Sequence, residues 1–257
     1  MKIIVCIKQV PSTNEVRLDP ETHTIIRDGG QSVINPFDTY GLEEAVIIKE
    51  QLGGTVTVLS MGIPATERLL RDALSRGADR GILLTDRAFA GADTLATSYT
   101  LSLGVAQAGA FDLIICGKMA VDGDTAQIGP ELAETLGIPH IADVKKIIAI
   151  DERQLTCVKV MDGGEQELTV SLPALITVSK DINMPRLPSI AGVRFSLDAP
   201  CQAYSAVEVK ADTGRTGLNG SPTQVVRTFT PERRGEAVAL QGSCPEQAAQ
   251  ILAVING

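Results

Sequence analysis

The chain has 257 residues, 44% hydrophobic and 21% charged, which suits a globular protein of one large domain or a domain with an extension. Its formal net charge is −8 and no cluster of five or more basic residues occurs, which argues against nucleic acid and anionic membrane surfaces as partners. Five cysteines without a C-x-x-C pair, and only two histidines (His23 and His140), leave no zinc constellation to draw. Tryptophan is absent and aromatics are 3%, so base-stacking platforms are not expected. Met1-Lys2 leads straight into a strand-like run with no h-region or cleavage site. No apolar run approaches the roughly 20 residues that span a bilayer. With unpaired cysteines, these features predict a cytoplasmic protein without membrane insertion.

Residues 2–10 (KIIVCIKQV) read as the first strand, stopped by Pro11. Residues 17–27 contain Asp19-Pro20-Glu21-Thr22, a turn between two short extended pieces, which predicts a hairpin. A helix is expected over 38–52, with Leu42, Ala45, Val46 and Ile48 turned inward and Gly53-Gly54 as its stop. A strand over 55–61, a helix over 64–76 and a strand over 81–85 follow, with Pro64 in the first helical turn. Asp93 is placed to cap a helix over 94–107. Thr94 and Thr97 lie one turn apart there, facing the same way, as a capping pair or as ligand contacts. Residues 112–116 form another buried strand, and 130–136 have helical spacing with Leu132, Ala133 and Leu136 on one face and Gly137 at the end. This strand–helix alternation predicts an open, mostly parallel Rossmann-like sheet with helices on both faces.

After Ala142 the pattern changes to four strands, over 144–150, 154–161, 165–172 and 174–179, with Asp162-Gly163-Gly164 as a hairpin turn. They are expected to extend the same sheet. Residues 183–190 form an exposed loop with Pro185 and Pro188. Residues 199–234 are weakly periodic and rich in Pro, Gly, Ser and Thr, and read as an arm lying on something else. A short helix over 245–255 would close the chain, its stripe of Ala248, Ile251, Leu252 and Ile255 favouring a partner over a free tail. The expected division is an α/β nucleotide-binding domain over 1–198 and a docking arm over 199–257.

The chemistry concentrates in the strand-to-helix loop Gly117-Lys118-Met119-Ala120-Val121-Asp122-Gly123-Asp124-Thr125-Ala126-Gln127-Ile128-Gly129. In an open α/β sheet ligands sit beyond the carboxyl ends of the strands, and a helix opening there offers free N–H groups to a phosphate. The loops after 6–10 and 60–62 should open on the same edge. Asp124 or Thr125 is placed to cap the helix. Turns and caps use the same residue types without any ligand, so spacing alone leaves both readings level. The loop is not a Walker A sequence, and the chain has no G-x-G-x-x-G.

Taken together and in order, VCIKQV, Asn35-Pro36-Phe37-Asp38, Gly77-Ala78-Asp79-Arg80-Gly81, the 117–129 loop, KVMDGGEQELTVSLPALIT over 159–177 and Asn183-Met184-Pro185-Arg186 resemble the β subunit of electron-transfer flavoprotein. The resemblance implies a heterodimer with an α subunit that carries a shuttling FAD, and a second nucleotide in this chain. Position by position, it places the nucleotide contacts at Cys6, Asn35, Pro36, Phe37, Asp38, Met61 and residues 117–128. It also matches residues 185–193 to a loop that anchors partner dehydrogenases, with Ile190 at the aliphatic anchor. The late arm matches a segment that embraces the α subunit.

The family has two branches. In one, the β nucleotide is a structural AMP. In the other it is FAD, which takes electrons from NADH and splits them between ferredoxin or flavodoxin and an acyl-CoA dehydrogenase-type partner. Residues 122–127, Gly91-Ala92-Asp93-Thr94 with Thr97, and 217–223 resemble the second branch. Gly123 leaves room for a larger ligand to approach the backbone. Met61 and Ile128 depart from other members, the latter removing a hydroxyl from the expected phosphate site. A stand-alone adenine-nucleotide sensor is a different class, and the arm and the dehydrogenase-type loop speak against it.

Overall fold

A computed structural model describes residues 1–12, 32–226 and 239–256, the last without its side chain. The hairpin expected over 17–27 lies outside the described residues. The chain divides into two compact units, Met1–Gln224 and Val225–Gly257.

The first unit is built on a mixed nine-stranded sheet. In chain order its elements are β1 (Lys2–Cys6), β2 (Gln9–Pro11), β3 (Ser32–Ile34), α1 (Pro36–Leu52), β4 (Thr55–Met61), α2 (Glu67–Ser75), β5 (Arg80–Leu84), α3 (Thr94–Ala108), β6 (Leu113–Gly117), α4 (Ile128–Leu136), β7 (His140–Ile150), β8 (Gln154–Met161), β9 (Gly164–Ser171), β10 (Ala174–Val178), α5 (Ile190–Asp198) and β11 (Cys201–Tyr204). Spatially the sheet runs β11-β5-β4-β1-β6-β10-β7-β8-β9, while β2 and β3 form a separate antiparallel pair. From β11 to β7 every pair is parallel, and β7-β8-β9 continues the sheet antiparallel.

The central parallel strands are mostly apolar because both of their faces are covered, as such sheets require. On one face Ile3, Val5, Val58 and Ile115 pack against Leu42, Ala45 and Val46 of α1 and Leu70 and Leu74 of α2. On the other, Ile4, Leu59, Ile82 and Ile114 pack against Leu101 and Val105 of α3 and Leu132 and Ala133 of α4. Period-two alternation thus assigns each strand side chain to one of two cores. The β8–β9 hairpin has only half a core: Leu155 and Cys157 are buried while Met161 and Glu165 are exposed. Its turn is Asp162-Gly163, with Gly163 at φ +89°, which glycine tolerates freely.

The Gly-Ala-Asp-Arg-Gly stretch works at the amino edge of the sheet. Asp79 accepts from the Val56 N–H at 2.7 Å and pairs with Lys49 at 2.7 Å, while Arg80 reaches Thr57 and the carbonyl of Ala108. It splices β4, β5, α1 and α3 together, at the opposite end of the strands from the 117–127 loop.

Three sequence expectations change. The first strand stops at Cys6, because Gln9–Pro11 turns away to pair with Ser32–Ile34. Residues 190–193, expected within a loop, instead open a helix over Ile190–Asp198 capped by Ser189, whose Oγ accepts from the Gly192 N–H at 2.9 Å. The boundary expected at Asp198 moves to Gln224. Cys201–Tyr204 joins the sheet as an edge strand, Ala206 and Val209 are buried, and Ser221 Oγ accepts from the Asp93 N–H at 2.8 Å. A four-residue edge strand and single-turn anchors leave too little periodicity to read from sequence. In the second unit, α6 (Cys244–Asn256) leaves Ile251, Leu252 and Ile255 exposed. No helix among the described residues is long and apolar enough to cross a membrane.

Candidate functional site

β4, β1, β6 and β10 are adjacent and parallel, so their carboxyl ends share one edge. Cys6, Met61 and Gly117 end three of them, and the loop from Gly117 to Gln127 lies over that edge. The expected convergence is therefore present.

Asn35 wires it together. It is 1% exposed, its Nδ2 donates to the Met119 carbonyl and to Asp38 Oδ1 (2.9 Å each), and its Oδ1 accepts from the Val121 N–H at 3.1 Å. Its own N–H donates to the Lys8 carbonyl at 2.8 Å. One amide thus joins the exit of β1, the start of α1 and the loop after β6. Pro36 opens α1, where its missing N–H costs no helical bond, and Phe37 is half-buried beside it.

Asp38 is buried, and its Oδ2 accepts from the Lys8 N–H at 2.7 Å. Burial pushes its carboxyl up to about 7, against the hydrogen bonds from Asn35 and the backbone of Lys8 and Gly117, which favour the ionised form. These contacts make Asp38 an organiser of the edge. A Cβ at Gly117 would run into the Asp38 carboxylate and lie 2.7 Å from the Phe37 carbonyl carbon, so only glycine lets α1 seat there.

Two ion pairs hold the loop's flanks: Lys8 with Asp122 and Lys118 with Asp143, each 2.6 Å. Ala120 O accepts from the N–H groups of Gly123 (3.2 Å) and Asp124 (2.8 Å), forming a tight turn. Beyond it Asp124 and Ala126 sit at φ +51° and +55°, a left-handed conformation uncommon for such residues and often found at binding sites. Gly123 faces open space, with only Lys8 Nζ 4.0 Å from where a Cβ would be. Thr125 and Gln127 are exposed, and Ile128 begins α4 with its side chain against the second core.

Neither Asp124 nor Thr125 caps α4. Gln127 occupies the cap position and makes no side-chain cap hydrogen bond. The left-handed turns at Asp124 and Ala126 re-aim the chain before the helix starts, which spacing does not reveal. α3 opens beside it: Thr94 Oγ1 lies 3.0 Å from Glu131 Oε1 and 3.3 Å from Gln127 Oε1. Asp93 caps α3 as expected, accepting from the Ala96 N–H at 3.0 Å. Thr97 is half-buried on the same turn. Sequence reasoning passed over Glu131. Its Oε2 is buried without a protein partner, and burial raises its carboxyl above the ordinary range. Its spacing four residues after Gln127, on one helix face, was the available signal.

Cys6 and Cys116 sit opposite each other on β1 and β6, both buried and free. The Cys6 thiol and burial together push the Cys116 thiol well up, so Cys116 is held protonated. Met61 packs partly buried against the second core. Ile190 does not join this cluster. It is 92% exposed at the start of α5, which packs on α2 beside the other core.

A model of the electron transfer flavoprotein domain matches residues 22–210. The chain belongs to the electron-transfer flavoprotein β-subunit family. It is 43% identical over 256 residues to the electron transfer flavoprotein subunit beta of Clostridium acetobutylicum, covering 100% of this chain and 98% of that one. It is 48% identical over 239 residues to the same subunit of Thermoanaerobacterium thermosaccharolyticum (92% and 91% covered). It is 41% identical over 250 residues to the caffeyl-CoA reductase–Etf complex subunit CarD of Acetobacterium woodii (97% and 95% covered). An electron-transfer flavoprotein β subunit implies an α-subunit partner and a role in electron transport.

Proposed function

We propose that this chain, paired with its α subunit, binds FAD at the carboxyl edge of the sheet and takes electrons from NADH there. The α-subunit FAD then carries part of them to an acyl-CoA dehydrogenase-type partner, and ferredoxin or flavodoxin receives the rest. The observation that carries this reading is the pairing of open space at Gly123 with two adjacent helix openings, α3 and α4, the second without a side-chain cap. Free N–H groups at a helix start suit a dinucleotide's phosphates. The orphaned Glu131 Oε2 supplies an acceptor for a ligand hydroxyl, and Thr94, Thr97, Thr125 and Gln127 supply further polar contacts. These residues fit the group.

The flavin itself supplies the hydride chemistry, and this chain's residues bind and orient it. Asn35, Asp38 and Lys8 fix the loop, and the buried, protonated Cys116 adds no charge beneath it. Ile190, with Met184 and Leu187, forms the exposed apolar surface read by the dehydrogenase partner. The relative named for a caffeyl-CoA reductase–Etf complex supports such an assembly. The second unit, with the exposed stripe of α6, docks on the α subunit.

Counting FAD and AMP released from the gently purified, FAD-supplied heterodimer tests the reading. Two FAD per heterodimer is the expected result. One FAD and one AMP would replace it with a non-bifurcating carrier whose AMP is structural. Truncation after Gln224 should leave the sheet folded and abolish stable association with the α subunit on size-exclusion chromatography.

A further inference from the structure

We propose that Arg186 and Asn183 are positioning residues that clamp the segment 183–190 onto α1, holding its apolar side chains in the arrangement a partner reads. The inference rests on the docking role proposed above for Ile190. Met184, Leu187 and Ile190 are 89%, 84% and 92% exposed. Irregular chain carrying two solvated apolar side chains, and leading into a third at the first residue of α5, has no core to order it, and ordering it costs conformational entropy. The clamp supplies that order.

The Arg186 guanidinium reaches Glu43 through Nε (2.9 Å) and Nη2 (3.0 Å), and Glu50 through Nη1 (2.6 Å) and Nη2 (3.0 Å). Its N–H donates to Glu43 Oε2 at 2.9 Å, and its carbonyl accepts from Arg76 Nη1 at 3.0 Å. Arg76 is itself held by Asp72 at 3.1 Å. Asn183 Nδ2 donates to the Tyr40 carbonyl (3.0 Å) and to Glu44 Oε2 (2.9 Å).

Glu43 and Glu50 lie two turns apart on α1, so one planar guanidinium spans both, and its fork fixes direction as well as distance. The Glu43 side chain is only 8% exposed and takes its hydrogen bonds from Arg186. The far end of the segment is pinned too. Ser189 caps α5, and Gly192 lies so close to the Ser75 carbonyl that a Cβ there would overlap it. Leu187 therefore sits between two anchors. Ion pairs of this kind add little net stability compared with an apolar replacement, and what they do supply is a defined arrangement.

The test uses the nucleotide-loaded heterodimer in three forms: Ile190→Ala, Arg186→Lys, and the double variant Glu43→Gln with Arg186→Met. The double variant removes the clamp without leaving a buried carboxylate unpaired, so folding is kept. Amide hydrogen exchange is followed over 183–192, with KM and kcat for electron delivery to the acyl-CoA dehydrogenase-type partner and nucleotide content. The double variant should raise both exchange in the segment and KM about tenfold, the scale of losing one interfacial anchor, with kcat, nucleotide content and melting temperature unchanged. Arg186→Lys should fall between, because a point charge cannot reproduce the fork. Ile190→Ala should raise KM without changing exchange. Unchanged exchange and KM in the double variant, while Ile190→Ala raises KM, would overturn the clamp and leave the docking surface standing. Unchanged KM in Ile190→Ala would remove the docking surface, and the clamp's purpose with it.

Discussion

The loop after β6 and the segment before α5 are both exposed, yet they are held by different means and offer opposite chemistry. Residues 121–127 are fixed at their root by a buried amide, Asn35, and by backbone turns with left-handed φ at Asp124 and Ala126. That arrangement turns polar groups outward beside two helix openings. Residues 183–190 are fixed by a charged fork to α1 and turn Met184, Leu187 and Ile190 outward. Exposed polar backbone at a sheet edge suits a small anionic ligand, whereas exposed aliphatic side chains suit a protein surface. The difference shows that exposure alone says little, and that what a loop displays follows from which of its groups the fold has already used.

The largest effect should come from emptying the polar loop. Replacing Thr125 and Gln127 together with Ala removes hydrogen bonds worth roughly 1.5–3 kcal/mol each when made to a charged group. FAD should fall from two toward one per heterodimer, and NADH-dependent reduction of the low-potential acceptor should vanish with it. Retention of two FAD would show that the loop's side chains are not ligands.

Two glycines separate ligand space from structural necessity. Gly117→Ala drives a methyl group into Asp38 and Phe37 and should cost roughly 3 kcal/mol, the upper end for overpacking, read as a lower melting temperature. Gly123→Val meets open space and should leave the melting temperature alone while reducing FAD content. Equal effects on stability would mean that Gly123 is structural.

On the apolar segment, Ile190→Ala should weaken electron delivery to the partner by about 2 kcal/mol or less, with flavin content intact. A change in flavin content would merge the two regions into one site.

A pH-dependent effect concerns Asp38. Its folded carboxyl is raised to about 7, so its contribution to stability is complete below the unfolded value near 4 and is lost as pH rises through about 7. The wild-type heterodimer should lose stability between pH 5 and pH 7 by up to about 1 kcal/mol per pH unit more than Asp38→Asn does. Parallel melting curves across that range would show that Asp38 is ionised in the fold.

Much of the architecture was legible from residue order. Apolar runs with glycine and proline stops placed most strands of the large sheet and the helices α1 to α4, the Asp162-Gly163 turn, the Asp93 cap and the Gly137 stop. Each of these is a local preference of the backbone, visible in a short window. The shared carboxyl edge was also legible, because strand–helix alternation forces the carboxyl ends of parallel strands together.

Only the tertiary structure decided the rest. It inserted β10 between β6 and β7, ended β1 at Cys6, and brought Cys201–Tyr204 back to the sheet. It set Asn35 against Met119 and Val121, Thr94 against Glu131, and Arg186 against Glu43 and Glu50. A buried polar group must find a partner, but its own sequence neighbourhood does not say which, because the partner arrives from a distant part of the chain once the apolar layers have closed.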